Sequence, residues 1–418
     1  MNQQRAVGWL HRRAGLGLHP DDLAAAVARG AAAELAAISA PPTELADPWA
    51  ALELDPQDGG RADAVLAWIG ALHGSTQPFQ DRRTLLLHGW LVSAIDKVRF
   101  PELMVEQIRL FMNNGGDSFP DLLRSITTNP AMLVYLDGRT STAEAPNENY
   151  GRELLELFAL GVGHYTEDDV QSAARALTGW IVRREDNLAQ FVLRRHDATP
   201  QTLLGVAGID DVDSVISAVV DHERHATFVA TRIMREYLGE LTGSAASDVI
   251  EALRSAYLDG DQRLDPVIVR ALELGLEDLG GPHEMGSMVL APIPWLMICA
   301  RATGVGLRAL QRGGSGAFRD MGQVPLLPPG VAGWPAGVEW LTTSAVVART
   351  RLAATIAEAT DQSEPLAIAM SDEDFDLAAQ HLGLGDSFTT STMSAIRSTT
   401  DPAARLAIAL VSPENLLA

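Results

Sequence analysis

Apolar residues recur along most of this chain at intervals of three and four, in blocks of ten to twenty closed by glycine, proline or a cluster of Asp, Asn, Ser and Thr. That is the period at which an α-helix gathers its apolar side chains on one face. It predicts helices over Pro20–Arg29, Ala62–Leu72, Asp81–Lys97, Pro101–Met112, Glu148–Leu160, Glu167–Trp180, Ala226–Leu238 and Ala246–Leu258. Further helices are expected over Pro282–Ala302, Ser344–Thr360, Asp372–Leu382 and Pro402–Val411. Between Trp180 and Leu204 the texture changes: WIVRR and FVLRR flank a polar EDN turn, the pattern of a β-hairpin. The expected fold is mainly α, one large multi-helix domain over 1–418 with an irregular N-terminal arm over 1–60 and a small β-hairpin insertion over 181–204. A long Gly/Pro/Trp-rich loop over 313–340 completes it. Its segment MGQVPLLPPGVAGWPAG is too apolar for a solvated linker, so it should be ordered, with Trp334 and Trp340 as anchors.

Composition changes this picture by exclusion. The formal charge is −22, from 54 acidic against 32 basic residues, and such a surface repels phosphate backbones and anionic lipid; nucleic acid is not an expected partner. Lys97 is the only lysine and lies outside any Gly-Lys-Ser/Thr context, which removes the phosphate-loop lysine and argues against Schiff-base chemistry. The single cysteine, Cys299, rules out an intrachain disulfide and any multi-cysteine metal site. The longest apolar stretch, Met288–Ala300, is too short to span a bilayer, so no membrane insertion is expected. MNQQRAVGWLHRRAG has no apolar core of a signal peptide, which gives a cytoplasmic expectation.

Candidate chemistry concentrates between residues 129 and 180. With a helix starting after Asn147, the residues Asn149, Arg152, Glu153 and Glu156 fall at i, i+3, i+4 and i+7 and share a face among Leu154, Leu155, Leu157 and Phe158. Carboxylates so placed are partly buried, where desolvation raises a pKa and a neighbouring arginine lowers it. The stripe fits general acid/base work, or a divalent metal held by Glu153 and Glu156 with an imidazole such as His196. It fits equally an ordinary Arg152–Glu156 helix pair, with Glu148 favouring the helix dipole. Thr166 and Asp169 form a capping box for the next helix, from which Arg175 could reach back to the first helix's carboxylates. His196 and Asp197, just after the hairpin, are either a functional pair or a turn. His88 reads as a core histidine, and His222 and His225 as a helix start capped by Asp221. No His-Glu-x-x-His, nucleophile elbow or dinucleotide-binding glycine pattern occurs.

The segments LHRRAGLGLHPDDL, NPAMLVYLDGRTSTAEAPNENYGRELLELFALGVGHYTEDDVQSAARALTGW, RRHDATPQTLLG and MGQVPLLPPGVAGWPAGVEWLTTSAVVARTRLA, with the closing SPENLLA, resemble the bacterial family of domain of unknown function 1800. The resemblance implies a helical protein whose family motif includes Asn147, Glu148, Asn149, Arg152, Glu153, Glu156, Asp169, Arg175, Trp180, His196, Asp197, Gln323, Pro329 and Trp334. It implies no reaction. It also implies an association with a second family, domain of unknown function 1501, similar to alkaline-phosphatase-like and sulfatase-like proteins that often carry a twin-arginine export signal. Such a protein is a candidate partner, and export as its passenger is a second expectation for location. This chain departs from its relatives at Leu87-His88-Gly89-Trp90, where they commonly show Trp-His-Asn-His, and at Ala291-Pro292-Ile293-Pro294, where a carboxylate is expected. Two readings follow: an enzyme with a carboxylate-centred site acting by hydrolysis or elimination on a polar substrate, or a non-catalytic accessory protein.

Overall fold

The computed structural model describes residues 2–42, 45–52, 60–279, 288–311, 314–385 and 387–417. Where an irregular arm was expected, residues 3–38 form three helices: α1 (Gln3–Arg13), α2 (Pro20–Arg29) and α3 (Ala31–Ile38). Of these, α2 is the helix expected over Pro20–Arg29, while α1 and α3 were not expected; α3 is rich in alanine, whose high helix propensity needs no apolar stripe to declare itself. Parts of the expected arm, 43–44 and 53–59, lie outside the described residues, as do the start of the helix predicted from Pro282 and residue 313 at the edge of the predicted loop.

The chain continues through α4 (Gly60–His73), α5 (Pro78–Trp90), α6 (Ile95–Val98), α7 (Pro101–Asn114), α8 (Phe119–Thr127) and α9 (Pro130–Tyr135). The single helix predicted over Asp81–Lys97 is therefore two, with Leu91 out of helical conformation between them. Next come α10 (Glu148–Glu153) and α11 (Glu167–Ala176), then β1 (Trp180–Val182), β2 (Ala189–Phe191), β3 (Gln201–Leu203) and β4 (Val206–Ile209). Helices α12 (Val212–Val220), α13 (Glu223–Leu238), α14 (Gly243–Asp259), α15 (Leu264–Asp278) and α16 (Pro292–Thr303) follow, and the remainder is helical apart from loops. The fold is mainly α, and no described helix is long and apolar enough to cross a membrane.

The expected hairpin is present: β1 pairs antiparallel with β2, Ile181 opposite Gln190. A second hairpin, β3 with β4, was not expected; its strands are short and packed on α11. Side-chain oxygens cap five helices in succession: Ser118 on α8, Asn129 on α9, Asn147 on α10, Thr166 on α11 and Asp211 on α12 each accept a backbone N–H of the first turn. Beneath them Trp68, Trp90, Phe111, Phe119, Phe158 and Tyr237 are fully buried in a continuous core. The Gly/Pro/Trp-rich segment contains a helix over Gly314–Met321 and a short 3₁₀ turn at Gly337–Trp340; between these it runs as an ordered loop. Leu326 fixes it, donating its N–H to His88 Nε2 at 3.1 Å and accepting from the N–H of Ile95 at 2.9 Å. Trp340 is buried, and Trp334 lies edge-on to His88.

Candidate functional site

Asn147 ends the loop before α10 by accepting the Asn149 N–H at 2.9 Å, so the helix starts where the sequence places it. Gly151 lets α10 lie against α11: a Cβ there would sit 3.2 Å from the Val170 carbonyl oxygen and 3.3 Å from the Ala173 Cβ. After Glu153 the backbone widens into a π-helical turn over Leu154–Ala159, with the Leu160 N–H reaching back five residues to the Leu155 oxygen at 3.0 Å. Single π turns inside α-helices recur at functional sites because they re-aim side chains. Here the widened turn separates Glu156 from the stripe that a regular helix would make.

The pairing differs accordingly from the sequence expectation. Arg152 does not pair with Glu156; it grips Glu167 at the start of α11 through two bonds of 2.8 and 2.7 Å and touches Glu148 at 3.3 Å. Glu156 instead accepts a short hydrogen bond from the Tyr165 hydroxyl. Both carboxylates are half-buried, and Asn149 is exposed. Burial, then the charge of Glu156, raises the Glu153 carboxyl above the ordinary range against the opposing pull of Arg152. Burial and the Glu156 carboxylate push the Tyr165 phenol up to about 12. Tyr135, at the end of α9, has its phenol raised by burial and by the charges of Asp96 and Glu153, which places it in the field of the same site.

Arg175 does not reach the α10 carboxylates either. Its Nη1 is 3.2 Å from Asp197 Oδ2, tying α11 to the loop after the hairpin. That loop is pinned again by Thr178, whose hydroxyl accepts the Asp197 N–H at 2.8 Å. The Thr178 carbonyl lies 3.0 Å from His196 Nδ1, which makes Nδ1 the protonated nitrogen. Hydrogen bonds from Thr199, with Arg175 beyond them, hold the Asp197 carboxyl below its ordinary range. Gly179 makes the approach possible: at φ +97° it adopts a conformation costly for other residues, and a Cβ would stand 2.9 Å from that of His196.

Among the described residues, no three His, Cys, Asp or Glu side chains are grouped to hold a metal ion. The ligand set Glu153, Glu156 and His196 therefore does not assemble: His196 is turned to Thr178 while Glu156 faces Tyr165. A family model described as Protein of unknown function (DUF1800) matches residues 9–417. The chain belongs to this family. No curated protein and no solved structure matches it.

Within this DUF1800 chain the seven candidate residues thus divide. Glu153 lies in the electrostatic field of Glu156, Arg152 and the pair Arg175–Asp197 brace the neighbouring helix, His196 anchors the hairpin, and Asn149 projects outward. Tyr165 was missed, although its position immediately before the N-cap Thr166 is the one from which a side chain folds back over a helix start. The capping box itself is formed, Thr166 N–H donating to Asp169 Oδ2 at 2.8 Å and Asp169 N–H to Thr166 Oγ1 at 3.2 Å. His88 is a buried core residue, and burial pushes its imidazole down to about 3. His222, rather than Asp221, caps α13 with its own Nδ1. His225 is buried between the Ala159 carbonyl at 3.1 Å and the Tyr257 hydroxyl at 2.9 Å, supporting the end of the π turn.

Proposed function

We propose that this protein is an enzyme whose proton-transfer centre is the pair Glu153 and Glu156, acting by hydrolysis or elimination on a polar substrate. The observation that carries this reading is the unequal treatment of two carboxylates that feel each other's charge. Glu153 has no hydrogen-bond or ion-pair partner among the described residues and keeps its proton to higher pH, whereas Glu156 accepts the Tyr165 hydroxyl. A carboxyl that holds its proton more tightly than usual, close to a second carboxyl bound to a phenol hydroxyl, is an arrangement that can divide acid and base roles. Glu156 would take a proton from water or from the substrate, and Glu153 would give one to the leaving oxygen. Arg152 and Arg175 then act as positioning residues through Glu167 and Asp197.

The test is turnover of a panel of nitrophenyl esters, nitrophenyl glycosides and uronate polymers by wild type, Glu153→Gln and Glu156→Gln. The reading expects wild-type turnover of one class and a loss of roughly 100-fold or more in each variant with the fold intact. No turnover by wild type across the panel, or full activity in both variants, would remove it.

One observation favours a non-catalytic reading: Arg152, Arg175, His196 and Asp197 are all committed to holding helices and hairpin together. On that reading the chain is an accessory to the phosphatase- or sulfatase-like partner that the family association implies. Co-expression would then give a complex that co-elutes and survives Glu153→Gln, and separate elution of the two proteins would exclude it.

A further inference from the structure

The β1–β2 hairpin carries features that the carboxylate pair does not use. Three large apolar side chains stand in solvent within six residues: Leu188 is 55% exposed, Phe191 42% and Leu193 72%. Scattered exposed apolar residues need no explanation, but a concentration on one projecting element does. Arginines interleave with them at 183, 184, 194 and 195, and Arg139 lies alongside, its carbonyl accepting from Arg195 Nη2 at 3.4 Å. Arg183 is matched by Asp186, whereas the exposed Arg139, Arg184 and Arg194 have no acidic partner among the described residues. Unpaired positive charge is thus gathered at one place on a chain of net charge −22.

The backbone of β2 adds a third feature. Arg183 N–H bonds the Leu188 carbonyl and Val192 N–H the Gly179 carbonyl, so Leu188, Gln190 and Val192 turn their peptide groups toward β1. Ala189 and Phe191 point theirs away, and among the described residues no third strand meets them.

We propose that this hairpin is a docking surface for an acidic segment of a different protein, one that carries apolar side chains between its carboxylates. Arg139, Arg184 and Arg194 would meet the carboxylates, Leu188, Phe191 and Leu193 the apolar groups, and the open edge of β2 the partner's backbone. A second copy of this chain is a poor occupant. A twofold dimer through the hairpin sets arginine against arginine and brings two strongly acidic bodies together. A polyanion without apolar groups would leave Leu188, Phe191 and Leu193 in water.

The probe is a short fluorescein-labelled peptide alternating glutamate with valine, titrated with the full-length protein and read by fluorescence anisotropy. The proposal expects saturable binding that weakens with added salt. It expects affinity to fall about tenfold or more in Arg184→Glu/Arg194→Glu and in Leu188→Ser/Leu193→Ser, all exposed positions at which melting temperature should be unchanged. Glu153→Gln should bind the peptide as wild type does, which separates this surface from the proposed catalytic pair. Absence of saturable binding, equal binding of the lysine–valine counterpart, or undiminished binding by either double variant would overturn it. Equal competition by polyglutamate would overturn it in favour of a simple polyanion. A wild-type dimer in sedimentation that Arg184→Glu/Arg194→Glu dissociates would overturn it in favour of a second copy.

Discussion

Glu153 ionises against two costs, the water it has lost and the charge of Glu156 beside it. Its folded pKa is raised, so the native state holds the proton more tightly than the unfolded chain does. This group's contribution to stability is therefore fullest below the ordinary glutamate range and falls as pH rises through the raised value. Glu153→Gln should raise the melting temperature at neutral pH, with a gain that shrinks as the pH falls through the raised value and is gone below about 4. A lower melting temperature at neutral pH would mean that the charge is paired. The sequence made both carboxylates legible, because a polar stripe in an apolar helix is visible in one dimension. It did not disclose their partners: Arg152 selects Glu167 from the next helix, and Tyr165 reaches Glu156 across a loop. Such choices depend on how two helices approach, which spacing along one of them does not contain.

At the scale of elements, the start of α10 and the capping box of α11 were legible because capping residues act within three positions of themselves. The π turn after Glu153 was not, since Leu-Leu-Glu-Leu-Phe-Ala fits a regular helix equally well. Within the expected arm α2 was legible, whereas the alanine-rich α3 carries little amphipathic signal and was not. The β1–β2 hairpin showed in its composition, yet the junction that holds it rests on one glycine. Gly179→Ala should destabilise the fold by about 1–3 kcal/mol, through its positive φ and the nearby His196 Cβ, and should loosen the His196–Thr178 contact. Denaturant unfolding and the histidine NMR shifts would check this; an unchanged midpoint with unchanged His196 shifts would contradict it.

Over the whole molecule, buried polar side chains join segments remote in sequence. Arg12 in α1 donates to the Leu382 carbonyl at 3.0 Å, to Asn415 Oδ1 at 2.8 Å, and to the Asn415 and Leu417 carbonyls at 2.9 and 2.6 Å. Arg12→Met would leave those acceptors without a donor, and a loss of roughly 2–5 kcal/mol in denaturant unfolding is expected. In the same region Glu34 accepts from His11 at 2.9 Å and from Arg29 at 2.6 Å. The His11 bond, with help from Arg29, holds its carboxyl down at about 2. A depressed carboxyl stabilises above its unfolded value and loses that contribution as pH falls toward the folded one. Glu34→Gln should therefore lower the melting temperature at neutral pH, with the difference closing between about pH 4 and pH 2. A difference constant across that window would contradict the assignment. The Arg12 and His11 pairs were not legible in the sequence, because their members are 23 to 405 residues apart.

Whether Glu153 and Glu156 divide acid and base roles is read from the titration of their carboxyl carbons by NMR in ¹³C-glutamate-labelled protein, with Glu153→Gln and Glu156→Gln fixing the assignments. Glu153 should titrate above the ordinary glutamate range and drop toward it in Glu156→Gln. A Glu153 that titrates in the ordinary range, and does so whether or not Glu156 carries a charge, would contradict it.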